Sequence, residues 1–202
     1  GLELRMLAHY MNDPEYTKEI VNGDIHTANQ KAAGLPDRDS AKTFIYSLIY
    51  GSGDEKLGNL VGGCRSRGSK LRQRFLAATP ALSDLQKRVR RKGSDGIIRG
   101  LDGRLLQVRS EHSSLNTLLQ AAGAIVMKQA LILLDKFARE WKINYRFVGN
   151  IHDEIQTEVQ ADQADKFGHL AVSCIEAAGL HFDLRCPLTG EYHVGNNWSE
   201  TH

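Results

Sequence analysis

Cysteine is scarce and poorly spaced for chemistry. Cys64, Cys174 and Cys186 are the three in 202 residues, and none forms a C-x-x-C pair, which argues against a disulfide framework and a thiolate zinc site. A reducing compartment fits that usage. No uninterrupted apolar run approaches the roughly 18 residues of a membrane-spanning helix, and no signal-peptide pattern opens the chain. The expectation is a soluble, intracellular protein of the cytoplasm with no membrane partner. Internal repeats and low-complexity segments are also missing. What remains is a chain long enough to bury a substantial core in one or two domains.

The net charge of +2 is small, but it conceals an asymmetry. Residues 65–109 hold 13 Lys and Arg against 3 Asp and Glu, a balance of +10 that leaves -8 for the rest. One region is thus suited to polyanions, although solubility alone accounts for many such charges.

The most informative pattern is a row. Arg38, Lys42, Tyr46 and Tyr50 stand four apart, with Gly51 immediately after. A spacing of four drifts only about 40° per step on a helix, so two cations and two aromatics share one broad face. Arg38 and Lys42 also fall in the opening turns after Pro36 and Asp37, where the macrodipole disfavours cations. An anion would resolve that conflict. A polyphosphate on the cations and a flat base on the tyrosines would use the whole row, which points to a nucleoside triphosphate. An amphipathic surface helix with solvated cations accounts for the spacing equally well.

The surrounding pattern is more specific. Lys42, Tyr46, Tyr50 and Gly51 fit K-x-x-x-(F/Y)-x-x-x-Y-G. Gly1-Leu2-Glu3-Leu4-Arg5, Asp24-Ile25-His26-Thr27, Asp102-Gly103-Arg104, the pair Asn116 and Gln120, His152-Asp153-Glu154, and Gly195, Asn197 and Trp198 follow in order. Together these resemble the ordered motifs of the family A (DNA polymerase I-like) DNA polymerases over nearly the whole chain. The wording is most similar to the replicative polymerases of short-tailed phages, which would put the protein in a host cytoplasm.

The resemblance implies an α+β fold, a partial right-hand polymerase with a helical fingers module inserted in an antiparallel-sheet palm. Residues 1–10 would belong to the palm, 11–111 to the fingers with a hairpin, and 112–202 to the palm again. It also implies template-directed nucleotidyl transfer from a dNTP to a primer 3′-hydroxyl, with two Mg2+ ions as cofactor. Primer-template DNA and dNTPs would be the partners. By the family pattern a first metal-binding aspartate lies three positions before Gly1, so the expectation is a C-terminal part of a polymerase. Its remaining partner is then the upstream thumb and first palm strand, and the part alone would be inactive. A natural split enzyme is the alternative.

Roles follow residue by residue from the same resemblance. Asp153 would be the second catalytic aspartate and a metal ligand, with Glu154 as an auxiliary acid. Arg38, Lys42 and His26 would hold phosphates, Lys42 would protonate the departing pyrophosphate, and Tyr46 and Tyr50 would meet the base and sugar. Glu3 would reach toward Tyr50 and close the space of a ribose 2′-hydroxyl. Arg104, Arg109, His112, Asn116, Gln120 and His152 would contact DNA, His112 standing where the bacterial branch has Arg. Two other readings stay open: a non-catalytic DNA-binding remnant, and a magnesium-dependent nuclease using Asp153 and Glu154.

Periodicity predicts helices at 2–11, 24–33, 37–50, 55–61, 66–77, 80–92, 112–141 and 161–178. It predicts a hairpin of 97–99 with 104–108, strands at 145–151 and 155–159 with the His-Asp-Glu triplet at their apex, and a last strand at 184–192.

Overall fold

The computed structural model describes residues 1–201. Helices dominate it, and the strands form two small antiparallel hairpins, which makes the class α+β. The chain runs through α1 (Leu2–Met11), α2 (Pro14–Asn22), α3 (Ile25–Ala33), α4 (Arg38–Ile49), α5 (Asp54–Asn59), α6 (Arg65–Ala78) and α7 (Pro80–Gly93). It continues through β1 (Ile97–Arg99), β2 (Leu105–Gln107), α8 (Ser114–Glu140), β3 (Tyr145–Ile151), β4 (Glu154–Val159) and α9 (Ala164–His181).

Helix starts are set by side chains that satisfy the first free N–H groups. The Asp13 carboxylate accepts from the N–H groups of Glu15 and Tyr16 with Pro14 at the first helical position, which starts α2, a helix not expected from periodicity. Asp24 caps α3, Gly34 closes it at φ 68°, and Asp37 caps α4 through the N–H of Ser40 at 2.7 Å. Helix α4 buries Ala41, Phe44, Ile45, Leu48 and Ile49, so the Arg38, Lys42, Tyr46 and Tyr50 row is the opposite face. Phe44 meets Phe75 of α6 edge-on at 5.4 Å between ring centroids. Helices α5 and α6 cross so closely that a Cβ at Gly68 would run into the Asp54 carbonyl oxygen, and Arg72 locks the crossing through Asp54 at 2.6 Å.

Helix α8 is the spine. Glu111–Glu140 is long and apolar enough to cross a membrane by length and composition, but half of its apolar stretch is buried, packed among α1, α7 and α9. Its first part joins the main core with Leu4, Leu7, Phe44, Leu48 and Leu82. Its second part, with Leu134 and Ala138, meets Phe167, Leu170 and Cys174 of α9 under Tyr145 and Phe147 of β3. Burial pushes the Cys174 thiol up to about 11, so it acts as a packing group.

The β3–β4 hairpin carries a bulge at Val148, between the pairs Phe147↔Thr157 and Gly149↔Gln156. Beyond it the ladder runs to the closing pair Ile151↔Glu154. His152 and Asp153 form the two-residue turn, and His152 takes the left-handed conformation at φ 56°.

Two expectations fail. No strand forms over 184–192, because this segment is tied to α1 and α9 instead of to a ladder. Arg5 donates to the Pro187 carbonyl, the Arg185 N–H donates to His9 Nδ1 at 3.3 Å, and the Leu184 N–H donates to the Gly179 carbonyl at 3.0 Å. The long helix also starts later than 112: Glu111–Ser113 is a 3-10 turn, closed by a reciprocal Ser110–Ser113 capping box.

His9 must stay neutral to accept that bond. Burial, helped by the Arg185 cation, lowers its pKa below 6.5. The unfolded chain therefore binds the proton more readily, so the stabilisation is complete above pH 6.5 and is lost as pH falls through the lower folded value. Thermal unfolding between about pH 7 and about pH 5 should show this loss, and His9→Gln, which keeps an acceptor without titrating, should flatten that part of the profile. An identical profile in the variant would contradict the assignment.

Candidate active site

Side chains from α1, α3 and α8 and the charge of Asp153 on the β3–β4 turn stand around the row on α4. The Tyr50 hydroxyl donates to Glu3 Oε1 at 2.8 Å, and Gln120 Nε2 donates to the same oxygen at 2.5 Å. Helices α1, α4 and α8 thus converge on one anion. The Glu3 to Tyr50 contact implied by the resemblance is present, and Gln120, exposed on α8, shares the same carboxylate oxygen.

Tyr46 packs between neighbours of both kinds, with its ring 6.1 Å from Tyr50 and 6.4 Å from His26. Its phenol pKa is raised by burial, then by the carboxylates of Glu3 and Asp153. Tyr50 is pushed up to about 12, first by burial and then by its bond to Glu3, with Asp153 adding to the effect. The hairpin turn therefore brings the Asp153 charge to the tyrosine end of the row, over a hundred residues away in sequence.

The other end is cationic. His26 is half-buried, its Nδ1 has no hydrogen-bond partner, and its pKa is lowered by burial, then by the neighbouring Arg38 and Lys42 charges. Lys42 is exposed. The conflict between Arg38 and the helix dipole is eased by an anion of the chain itself, the Asp24 carboxylate. Arg38 Nε donates to Asp24 Oδ2 at 2.8 Å, and that pairing holds the Asp24 carboxyl well below the usual carboxylate range.

Gly51 ends the row at φ 81°, and a Cβ there would strike the His112 carbonyl oxygen. Glycine is thus required twice, for its conformation and for the close approach of the 3-10 turn. His112 stands in that turn, so only Asn116 and Gln120 of the polar row lie on α8. At the hairpin turn His152 and Asp153 are exposed, and Glu154 accepts from the Gln156 amide. Among the described residues no cluster of three or more His, Cys, Asp and Glu side chains forms a metal centre.

The arginines assigned to DNA are elsewhere. Arg104 pairs with Asp102 at 2.6 Å inside the β1–β2 turn, and Arg109 is exposed beyond β2. No described contact links either to the row. Sequence reasoning missed Asp24 as the partner of Arg38 and Gln120 as a partner of Glu3. Both depend on how helices meet, α3 with α4 and α1 with α8, which local patterns do not encode.

Comparison with known proteins decides the family. The sequence profile described as DNA polymerase family A matches residues 1–200. The chain belongs to DNA polymerase family A. It is 40% identical to the DNA-directed DNA polymerase of Escherichia phage Phieco32 over 237 aligned positions, covering 100% of this chain and 39% of the phage protein. It is also 40% identical to the DNA-directed DNA polymerase of Escherichia phage T7 over 227 positions, covering 100% of this chain and 32% of that protein. This family A chain therefore spans 32% to 39% of the length of those relatives. The fold is similar to the POL domain of Pol1 from M. smegmatis, solved in complex with DNA primer-template and dNTP. The TM-score is 0.82 at 21% identity, over 93% of this chain and 36% of the other.

The bond between Tyr50 and Glu3 has a direct spectroscopic consequence. Tyr50 should remain protonated at pH 10, the ordinary tyrosine value, in a tyrosinate titration read as the difference between wild type and Tyr50→Phe. Glu3→Gln should bring its ionisation down, because the carboxylate that opposes the phenolate is gone. An unshifted Tyr50 in wild type would contradict the contact.

Proposed function

We propose that this chain is the palm and fingers portion of a template-directed DNA polymerase, transferring a nucleotide from a dNTP to a primer 3′-hydroxyl with release of pyrophosphate. Residues 1–10 and 112–202 would form the palm and 11–111 the fingers. The observation that carries the reading is that the Glu3 carboxylate, bonded to Tyr50, and the Asp153 charge meet the tyrosine end of the α4 row.

The surroundings of α4 are electrically divided, with Arg38, Lys42 and His26 at one end of the row and Glu3 and Asp153 at the other. A triphosphate at the cationic end would leave its base and sugar over Tyr46 and Tyr50. Lys42 is free of any described ion pair and would bind the outer phosphates, then give a proton to the departing pyrophosphate. Glu3, held by two donors, would fill the space beside the sugar where a 2′-hydroxyl would sit. The exposed carboxylate of Asp153 and the half-buried one of Glu154, which also accepts from Gln156, are hard oxygen ligands of the kind Mg2+ takes, few in number, with water and phosphate oxygens completing its shell. Bound there, two such ions would neutralise phosphate charge and lower the pKa of the attacking hydroxyl. Asn116 and the exposed basic residues of α6 and α7 would contact primer-template DNA by position, with a strong dependence on salt. The nuclease reading is disfavoured by the row itself, since a nuclease needs no clamp for a triphosphate.

The test uses the polymerase at the full length of its relatives. Asp153→Ala should reduce primer extension by at least about a thousandfold while primer-template affinity holds. Lys42→Ala should weaken nucleotide use by about 10- to 150-fold, the worth of one charge-assisted contact, and change DNA affinity far less. Extension within tenfold of wild type in Asp153→Ala, or equal losses for nucleotide and DNA in Lys42→Ala, would overturn the assignment.

A further inference from the structure

We infer that Asp24 is a positioning residue for the nucleotide phosphates, acting through Arg38. The inference rests on the proposed function above, and it concerns a residue that makes no contact with the nucleotide itself.

The Asp24 carboxylate is held on three sides. Oδ1 accepts from the His26 N–H at 3.1 Å, while Oδ2 accepts from the Thr27 hydroxyl and from Arg38 Nε, each at 2.8 Å. The first two bonds belong to the start of α3 and fix the carboxylate relative to that helix. The third crosses to the first residue of α4. The connection between the two helices is itself pinned, because Gln30 Nε2 donates to the Pro36 carbonyl at 3.0 Å and Gly34 closes α3 in the left-handed conformation. Asp24 therefore joins a fixed point on α3 to a side chain that would otherwise be a long, exposed rotor.

The chemistry of the junction matters as much as its position. A guanidinium has five N–H donors in one plane, and Asp24 takes the one on Nε. Both Nη groups are left uncommitted among the described contacts, and they are the donors suited to bidentate recognition of a phosphate. A carboxylate that competed with the ligand would be expected to take that outer fork. Asp24 instead holds the inner nitrogen. The same residue sets the start of the helix that carries His26, whose ring feels the Arg38 and Lys42 charges. One side chain thus arranges two of the three groups at the cationic end of the row. An exposed ion pair contributes little to stability, so the effect should appear in nucleotide binding and not in folding.

Single-turnover incorporation by the polymerase at full length, on a primer-template and over a range of dNTP concentrations, tests this. Asp24→Asn keeps a good capping side chain but loses the charge, and Asp24→Ser keeps a capping hydroxyl should the first variant fold poorly. Each should raise the apparent Kd for dNTP about three- to tenfold, the worth of ordering one long side chain, with the maximal rate and the thermal midpoint nearly unchanged. In an Arg38→Ala background the same substitutions should add nothing, since the residue through which Asp24 acts is gone. An unchanged or lowered Kd in the single variants, or the full effect persisting without Arg38, would overturn the inference. If Arg38→Ala alone left the dNTP Kd unchanged, the phosphate-site reading beneath it would fall as well, which separates the two failures.

Discussion

The site depends on one shared acceptor. Glu3 stands on the second turn-forming residue of α1, Tyr50 caps the far end of α4 and Gln120 lies within α8, yet a single carboxylate oxygen receives both donors. Hydrogen bonds to a charged group contribute roughly 1.5 to 3 kcal/mol when shielded, and less here because Tyr50 is 45% exposed. The greater consequence is geometric. Three helices far apart in sequence are fixed in register at the tyrosine end of the α4 row. Tyr46 is confined by the same junction, with its hydroxyl 3.2 Å from where a Cβ on Gly1 would stand.

From that junction the electrostatics run in opposite directions. Toward the start of α4 the charges are positive and backed by Asp24 and the capping residue Asp37. Toward its end they are negative, from Glu3 and from Asp153 on the β3–β4 turn. A purely anionic ligand would suit only one end of such a row. A ligand with a polyanionic end, a neutral body and accompanying divalent cations suits both.

Much of the fold was legible because it rests on local rules. The apolar face of α4, the caps at Asp24 and Asp37, the β1–β2 turn and the placement of Asp153 at a hairpin apex follow from periodicity and turn chemistry. Helix α2 was legible in principle, since Asp13-Pro14 is a strong start signal, but its nine residues carry only one buried side chain, Tyr16, and so show little apolar period. The segment 184–192 looked like a strand because apolar residues recur in it. Its carbonyls and N–H groups are taken by Arg5, His9 and Gly179, which no local pattern reveals. The same limit hid the partners of Arg38 and Glu3: side-chain type and spacing identified the groups, while the helix crossings that pair them are tertiary.

The central claim is that Glu3, held by Tyr50 and Gln120, closes the space beside the incoming sugar. The most direct measurement is the ratio of incorporation efficiencies for a deoxynucleotide and its ribonucleotide counterpart, compared between wild type and Glu3→Ala in the polymerase at full length. The account predicts that the variant admits ribonucleotides and that the ratio falls at least about tenfold, or about 1.4 kcal/mol. A ratio unchanged by Glu3→Ala would contradict it, leaving the Glu3 junction as a purely structural joint between α1, α4 and α8.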